Sequence, residues 1–553
     1  MTTLSTVLAA GPEAPSTASP TIAAASGLAP YTGPFTVQEA SHLLSRTTFG
    51  GTVASIEEAV GLGLEATLDQ LLAERPLPPP PVAQEENGGV PVGETWINAP
   101  YPAGAREKQA AVGVRARSMR AWLNQLRLDE TISVTETMVL FWHNHFANNN
   151  FNEPRWNYLH SSLLRREALG NFRRLVKDMT IDSVMLAFLD GTRSTRRSPN
   201  ENYARELLEL FTLGKGPQVG PGDYTNYTED DVLAMARSLT GWRVQGYRSE
   251  EGDQSYLPVF VPARHDPETV QLSHRFGNRQ LESSGENTYA DLVDVIFEHE
   301  AAADYLIRKL YRWFVYYEIT PEVETSVIQP LAAIFRENDF ELVPVLRTLF
   351  SSQHFFDVYA QGPMLKHPIR FTVGLMRQLE IEPIQPNQPP ARFPFALFQR
   401  SNQMGMGDFR APTVAGWKAF YQEPLYYRDW INSATLPLRN RLGDQLFANN
   451  SRVQNYGGVR FSLLNIVNRF ESPIDVWGMI DQWVTLLFPR PVPESQREFL
   501  KDILLPGLPD TQWATEYADY QANPNDENLA RALETNLRRM VKTMLEMPEY
   551  QLC

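Results

Sequence analysis

The chain is poor in the residues that build redox and thiolate chemistry. It has one cysteine in 553 residues, Cys553. A single cysteine excludes an intrachain disulfide and every thiolate zinc site. Only nine histidines are present, with no His-Glu-x-x-His and no pair of Glu-x-x-His motifs of the di-iron kind. Basic residues are outnumbered by acidic ones, 50 to 65, for a net charge of −15. That balance argues against nucleic acid or an anionic membrane surface as a main partner. No apolar run reaches the roughly 18 residues needed to cross a bilayer. No Gly-x-Ser-x-Gly, phosphate loop or dinucleotide fingerprint occurs, and no repeat of fixed period is visible.

What is present is a large globular composition, 43% hydrophobic and 11% aromatic, with 41 prolines gathered in connecting segments. The 3.6-residue period predicts a mainly α, multi-helical fold with long Pro-rich loops at 76–105 and 383–412. Residues 243–288 lose that period. Alternation at 256–261 predicts a small β excursion there. The divisions expected are a disordered leader over 1–33, a helical core over 34–385, and a C-terminal helical part over 386–553, which could equally be continuous with the core.

The segment from Ser198 to Gly214 has the strongest pattern. Ser198, Pro199 and Glu201 read as a capping box with proline at the first helical position. Tyr203, Leu207, Leu210 and Phe211 share one face. Glu201, Asn202, Arg205, Glu206 and Glu209 share the other. Glu201 and Arg205 stand at the favourable i, i+4 spacing of an ion pair. Solvated or paired carboxylates are the commoner outcome of such a face. If other parts of the chain cover it, Glu201 and Glu206 become acid/base candidates.

Asn200 to Gly214 resembles the signature of the bacterial domain-of-unknown-function 1800 family. Further segments resemble that family's motifs in order. They are His42 to Gly50, Glu136 to Phe146 with Phe141-Trp142-His143-Asn144-His145-Phe146, and Leu189-Asp190-Gly191. Tyr227 to Val232, Leu239-Thr240-Gly241-Trp242, Val414-Ala415-Gly416-Trp417, Trp430 to Ser433 and Met547 to Gln551 follow. The resemblance runs from about residue 34 to the end. It implies a large helical bacterial protein, often exported, and often encoded beside a sulfatase-like protein that would be a partner. It supplies no reaction. The first 30 residues lack Lys and Arg, so they do not read as a secretory signal, and the compartment stays open.

Three functional readings follow. The first is a carboxylate-based hydrolase acting on a glycan or other polar polymer. Glu201, Glu206, Asp190, Glu136, His143, His265 and Asp266 are its catalytic candidates. Asn200 and Arg205 would bind substrate, with Arg193 as a further anion contact. Trp142, Trp242 and Trp417, with Trp430, would form stacking walls. The second is a non-enzymatic binding or assembly protein partnering the sulfatase-like protein. The third is a metal protein using His143 or His145. No cofactor is expected. On a helix, i and i+2 point to nearly opposite sides, so these two histidines would not share one ion. Glu136 and His143 share a face about 10.5 Å apart along the axis, too far for joint ligation.

Overall fold

The segments with helical period fold as helices in a computed structural model that describes residues 27–149, 153–252, 256–384, 392–448, 452–453 and 457–553. Among the described residues the structure is mainly helical, 57% in all, with 22 helices and only short sheets. The expected mainly α fold is therefore the one observed. The Thr36–Glu39 capping box opens the helix Val37–Thr47. Val53–Leu62 and Leu64–Leu71 are separated at Gly63, whose φ of 78° ends the first helix. Likewise 289–317 divides into Thr288–Phe297 and Ala301–Phe314. Two helices went unforeseen. Arg392–Gln403 lies inside the Pro-rich connection, and Thr511–Ala522 lies near the end.

The β excursion falls where alternation placed it. Trp242–Val244 pairs antiparallel with Pro258–Phe260, and Val270–Gln271 with Gln280–Leu281. These hairpins are too small to make a core of their own. Trp242 instead packs its ring on Phe260 and Tyr289.

One continuous set of buried apolar side chains runs from Ala40 to Cys553. The expected division near 385 lies at 385–391, outside the described residues. Beyond it, Arg392–Gln403 packs on Ala105–Asp129 and on Pro368–Gln378. Residues 1–26 of the expected leader are also outside the described residues. Its last part is docked: Pro30 bridges Ser352, and Tyr31 N–H donates to Ser351 O at 2.7 Å. The packed chain thus begins ahead of residue 34.

The second motif segment sits at the centre. Every residue of the helix Thr135–His145 is buried, as its nearly all-apolar surface requires. Val134 is the N-cap, the Ser133 hydroxyl accepts from Thr135 N–H, and Glu136 turns away into an ion pair. The motif Val414-Ala415-Gly416-Trp417 closes on this helix. Trp417 N–H donates to Asn144 Oδ1 at 3.0 Å. A Cβ on Gly416 (φ 91°) would lie 2.6 Å from the Asn144 carbonyl oxygen, so glycine is required for the approach.

Candidate functional site

The signature segment folds as an α-helix, Glu201–Glu206, that continues as a π-helix, Leu207–Thr212. Asn200, not Ser198, is its N-cap: Asn200 Oδ1 accepts from Tyr203 N–H at 3.2 Å. Ser198 is engaged in a bridge with Thr195 instead. Asn200 wins because its Nδ2 also donates to Leu189 O at 2.7 Å, tying the helix start to the preceding turn. The expected Glu201–Arg205 pair does not form. Arg205 reaches across to the helix Glu229–Ser238 and holds Glu229 in a two-pronged pair, both contacts at 2.7 Å. Glu201 is left exposed.

π-turns recur at functional sites because they release carbonyls from the regular ladder. Here the released groups are met by side chains. Tyr305 Oη donates to Leu210 O at 2.9 Å, and Lys309 Nζ donates to the same oxygen at 3.0 Å. His145 Nε2 lies 2.9 Å from Phe211 O. That bond places the proton on Nε2 and leaves Nδ1 to accept from Lys309 Nζ at 3.2 Å. Burial holds His145 well below its ordinary pKa, with Lys309 adding to the effect. Burial and then Arg312 bring the Lys309 ammonium down to about 7. An amine in that range can exchange a proton at neutral pH.

Two carboxylates on this turn sit in unlike settings. Glu209 accepts from Tyr227 Oη at 2.9 Å and has Lys215 Nζ at 3.7 Å. Glu206 is half-buried and has no hydrogen-bond or ion-pair partner among the described residues. Desolvation first, and Glu209 second, raise its pKa above the ordinary carboxylate value. Burial first, and the field of both acids second, push the Tyr305 phenol up.

The other sequence candidates lie elsewhere and are occupied. Glu136 is clamped by Arg165 at 2.6 and 2.7 Å, both groups buried. Asp266 is held by Arg237 Nε at 2.7 Å, which lowers its pKa. Asp190 is exposed and pairs with Arg193 at 3.3 Å. His265 is buried, with Nδ1 2.9 Å from Thr240 O and Nε2 2.9 Å from Ser283 Oγ. Asn200 and Arg205 are thus engaged internally, while Arg193 meets Asp190 at the surface. Trp142, Trp242 and Trp417 are 0%, 6% and 2% exposed, and Trp430 is 4% exposed. None of the four offers a face to a sugar ring: they are core.

His143 and His145 do point apart. His143 Nε2 accepts from Phe409 N–H at 2.9 Å, and burial brings its pKa to about 3. Among the described residues no three His, Cys, Asp or Glu side chains gather as a metal site requires. Around His143 lies a closed network. Arg127 forks onto Asp408 at 2.9 and 2.6 Å, and His160 joins Asp182 to Asn148 at 3.0 and 3.2 Å. Its members come from distant stretches, so no sequence spacing announces it. Tyr227, Tyr305 and Lys309 were missed for the same reason. Glu209 stands on the polar face of the signature segment, where spacing alone predicts a solvated or paired carboxylate.

Residues 42–552, nearly the whole chain, match the family described as protein of unknown function (DUF1800). No curated protein and no solved structure matches the chain. No helix among the described residues is long and apolar enough to cross a membrane.

Proposed function

This chain belongs to the protein of unknown function (DUF1800) family, and from that premise we propose that its signature helix carries an acid–base site for hydrolysing a glycan or other polar polymer. One observation carries the reading. Glu206 is a half-buried, unpartnered carboxyl with a raised pKa. It stands one turn from Glu209, a carboxylate oriented by Tyr227. Pairs of carboxylates whose surroundings differ in this way divide the labour of glycosidic cleavage. Glu206 gives its proton to the leaving oxygen. Glu209 supplies the negative charge or activates water on the reacting carbon. Lys309 and Tyr305 hold the turn that spaces them. Asp190, Glu201, Glu136, His143, His265 and Asp266 have no part in this version of the site.

The test is release of reducing ends from a panel of soluble polysaccharides by the full chain and by Glu206→Gln and Glu209→Gln. Loss of at least about 100-fold in each variant, with unchanged folding, is expected of a general acid and its partner. Undiminished turnover in Glu206→Gln would overturn the assignment.

A second reading, a non-enzymatic binding or assembly protein, has its own support. Glu136, Asp190 and Asp266 are all paired to arginines. On this reading the motifs clamp helices and the partner, such as a sulfatase-like protein, docks on the surface. Absence of turnover on the whole panel, with a partner recovered at micromolar concentration, would favour it.

A further inference from the structure

The helix Ala301–Phe314 carries Tyr305 and Lys309 beside the signature turn, and it continues toward a second polar surface. Tyr305, Lys309, Arg312 and Tyr316 stand at i, i+4, i+7 and i+11, the spacing of a single helical stripe. Tyr316 lies just past the last helical residue, yet its N–H still donates to Tyr311 O at 3.2 Å. From Tyr305 to Tyr316 the stripe covers about 16 Å at 1.5 Å per residue.

At its far end lies a groove of about 480 Å³ whose walls include Tyr316, Tyr359, Tyr427, Arg428, Pro489 and Arg490. That volume is in the range of small-ligand sites. The tyrosines form a connected set: Tyr316 meets Tyr317 at 4.4 Å between ring centroids, and Tyr317 meets Tyr427 at 5.0 Å. Tyr359 is 41% exposed, so a ring face is open, unlike the buried tryptophans. The charges are unusual for an acid-rich chain. Arg428 donates to Tyr317 Oη at 3.0 Å and stacks on the Tyr317 ring at 5.4 Å. Arg490 donates to Gln361 O. Arg312 donates to Tyr317 O at 3.1 Å. None of the three makes an ion pair among the described residues. Glu549 also lines the groove, its Oε1 accepting from Gln496 Nε2 at 2.8 Å, so one carboxylate stands with the two arginines of the lining, Arg428 and Arg490. Asp357 lies near enough to Arg490 to act on it electrostatically.

Tyrosine faces stack on sugar rings through their apolar C–H surfaces, and a guanidinium fork fits a carboxylate. We propose that this groove binds a uronate-type sugar of an anionic polysaccharide, as a subsite about 16 Å along Ala301–Phe314 from the turn that carries Glu206 and Glu209. This rests on the hydrolase reading, and it names the substrate class of that site.

The experiment is calorimetric titration of the full chain with oligogalacturonate and with its neutral methyl ester. Arg428→Gln/Arg490→Gln and Tyr359→Ala are measured alongside, each checked for folding by its circular dichroism. The expected result is binding of the uronate at least about tenfold tighter than of the ester, weakened by added salt as a charged contact requires. The double arginine variant should lose that preference, and Tyr359→Ala should weaken both ligands. Equal binding of uronate and ester, unchanged binding in the arginine variant, or no binding at millimolar ligand each overturns the proposal. Glu206→Gln separates it from the catalytic reading, because that variant should bind uronate like the parent. Tight uronate binding without turnover would remove the hydrolase and keep the groove.

Discussion

Lowering the pH from 7.5 to 5.0 should destabilise this protein through histidines that the fold keeps neutral. Burial brings His42 and His143 to about 3 and His354 to about 4. In the unfolded chain each takes up a proton near pH 6.5. Below that value the unfolded state is protonated and the folded state is not, so stability falls as pH falls until the folded values are reached. At pH 5.0 the gap is about 1.5 units, or about 2 kcal/mol per histidine and about 6 kcal/mol for the three. That is comparable with the whole stability of a typical domain, about 5–15 kcal/mol. Glu130 works in the opposite direction, because burial raises its carboxyl well above the ordinary value. The histidine contribution is therefore read from a variant. His354 Nε2 accepts from Tyr311 Oη at 3.0 Å, and its Nδ1 has no partner. His354→Gln keeps a polar group and removes the titration. Urea unfolding followed by tryptophan fluorescence should show the gap between parent and variant shrinking by about 2 kcal/mol from pH 7.5 to 5.0. Parallel stability curves across that range would refute the reasoning, since they would mean that His354 protonates without resisting the fold.

Other substitutions test other parts of the argument. Glu136→Gln leaves Arg165 buried without its counter-charge and should cost about 3–5 kcal/mol, read from urea midpoints; a change under about 1 kcal/mol would show the pair to be solvated. Lys309 is down at about 7 in the fold, so the unfolded chain holds the extra proton from pH 7 to about 10.4 and stability rises with pH across that window. Relative to Lys309→Met, the parent should gain about 1.4 kcal/mol per pH unit from 7.5 to 9; equal slopes would contradict the assignment. Gly416→Ala forces a side chain into positive φ against the Asn144 carbonyl. It should cost at least about 2 kcal/mol in urea unfolding, whereas Gly61→Ala, where the space is open, should not.

Sequence alone determined the kind of object this is. The 3.6-residue period places helices such as Val37–Thr47 and Glu527–Glu546, because an apolar stripe at that spacing can be buried only by a helix. The loss of period after residue 242 marks the hairpins. Motif order identifies the family over residues 42–552. Chemistry was legible only in inventory. Glu206 and Arg205 stand on the same short helix with Glu201, yet local spacing gave Arg205 the wrong partner. Glu229, 24 residues on, is nearer in space.

Only the tertiary structure decided which polar groups are spent on architecture. Glu136, Asp266 and His265 look like reagents as a list of residue types. Arg165, Arg237 and Thr240 turn them into struts, because a buried charge or imidazole without a partner would be costly. The carbonyls of the π-turn at Leu207–Thr212 are met by Tyr305 and by Lys309, itself brought to a near-neutral pKa, both from the packed helix Ala301–Phe314. That helix lies about 100 residues away along the chain, a separation at which no periodicity in the sequence carries information about which side chains meet.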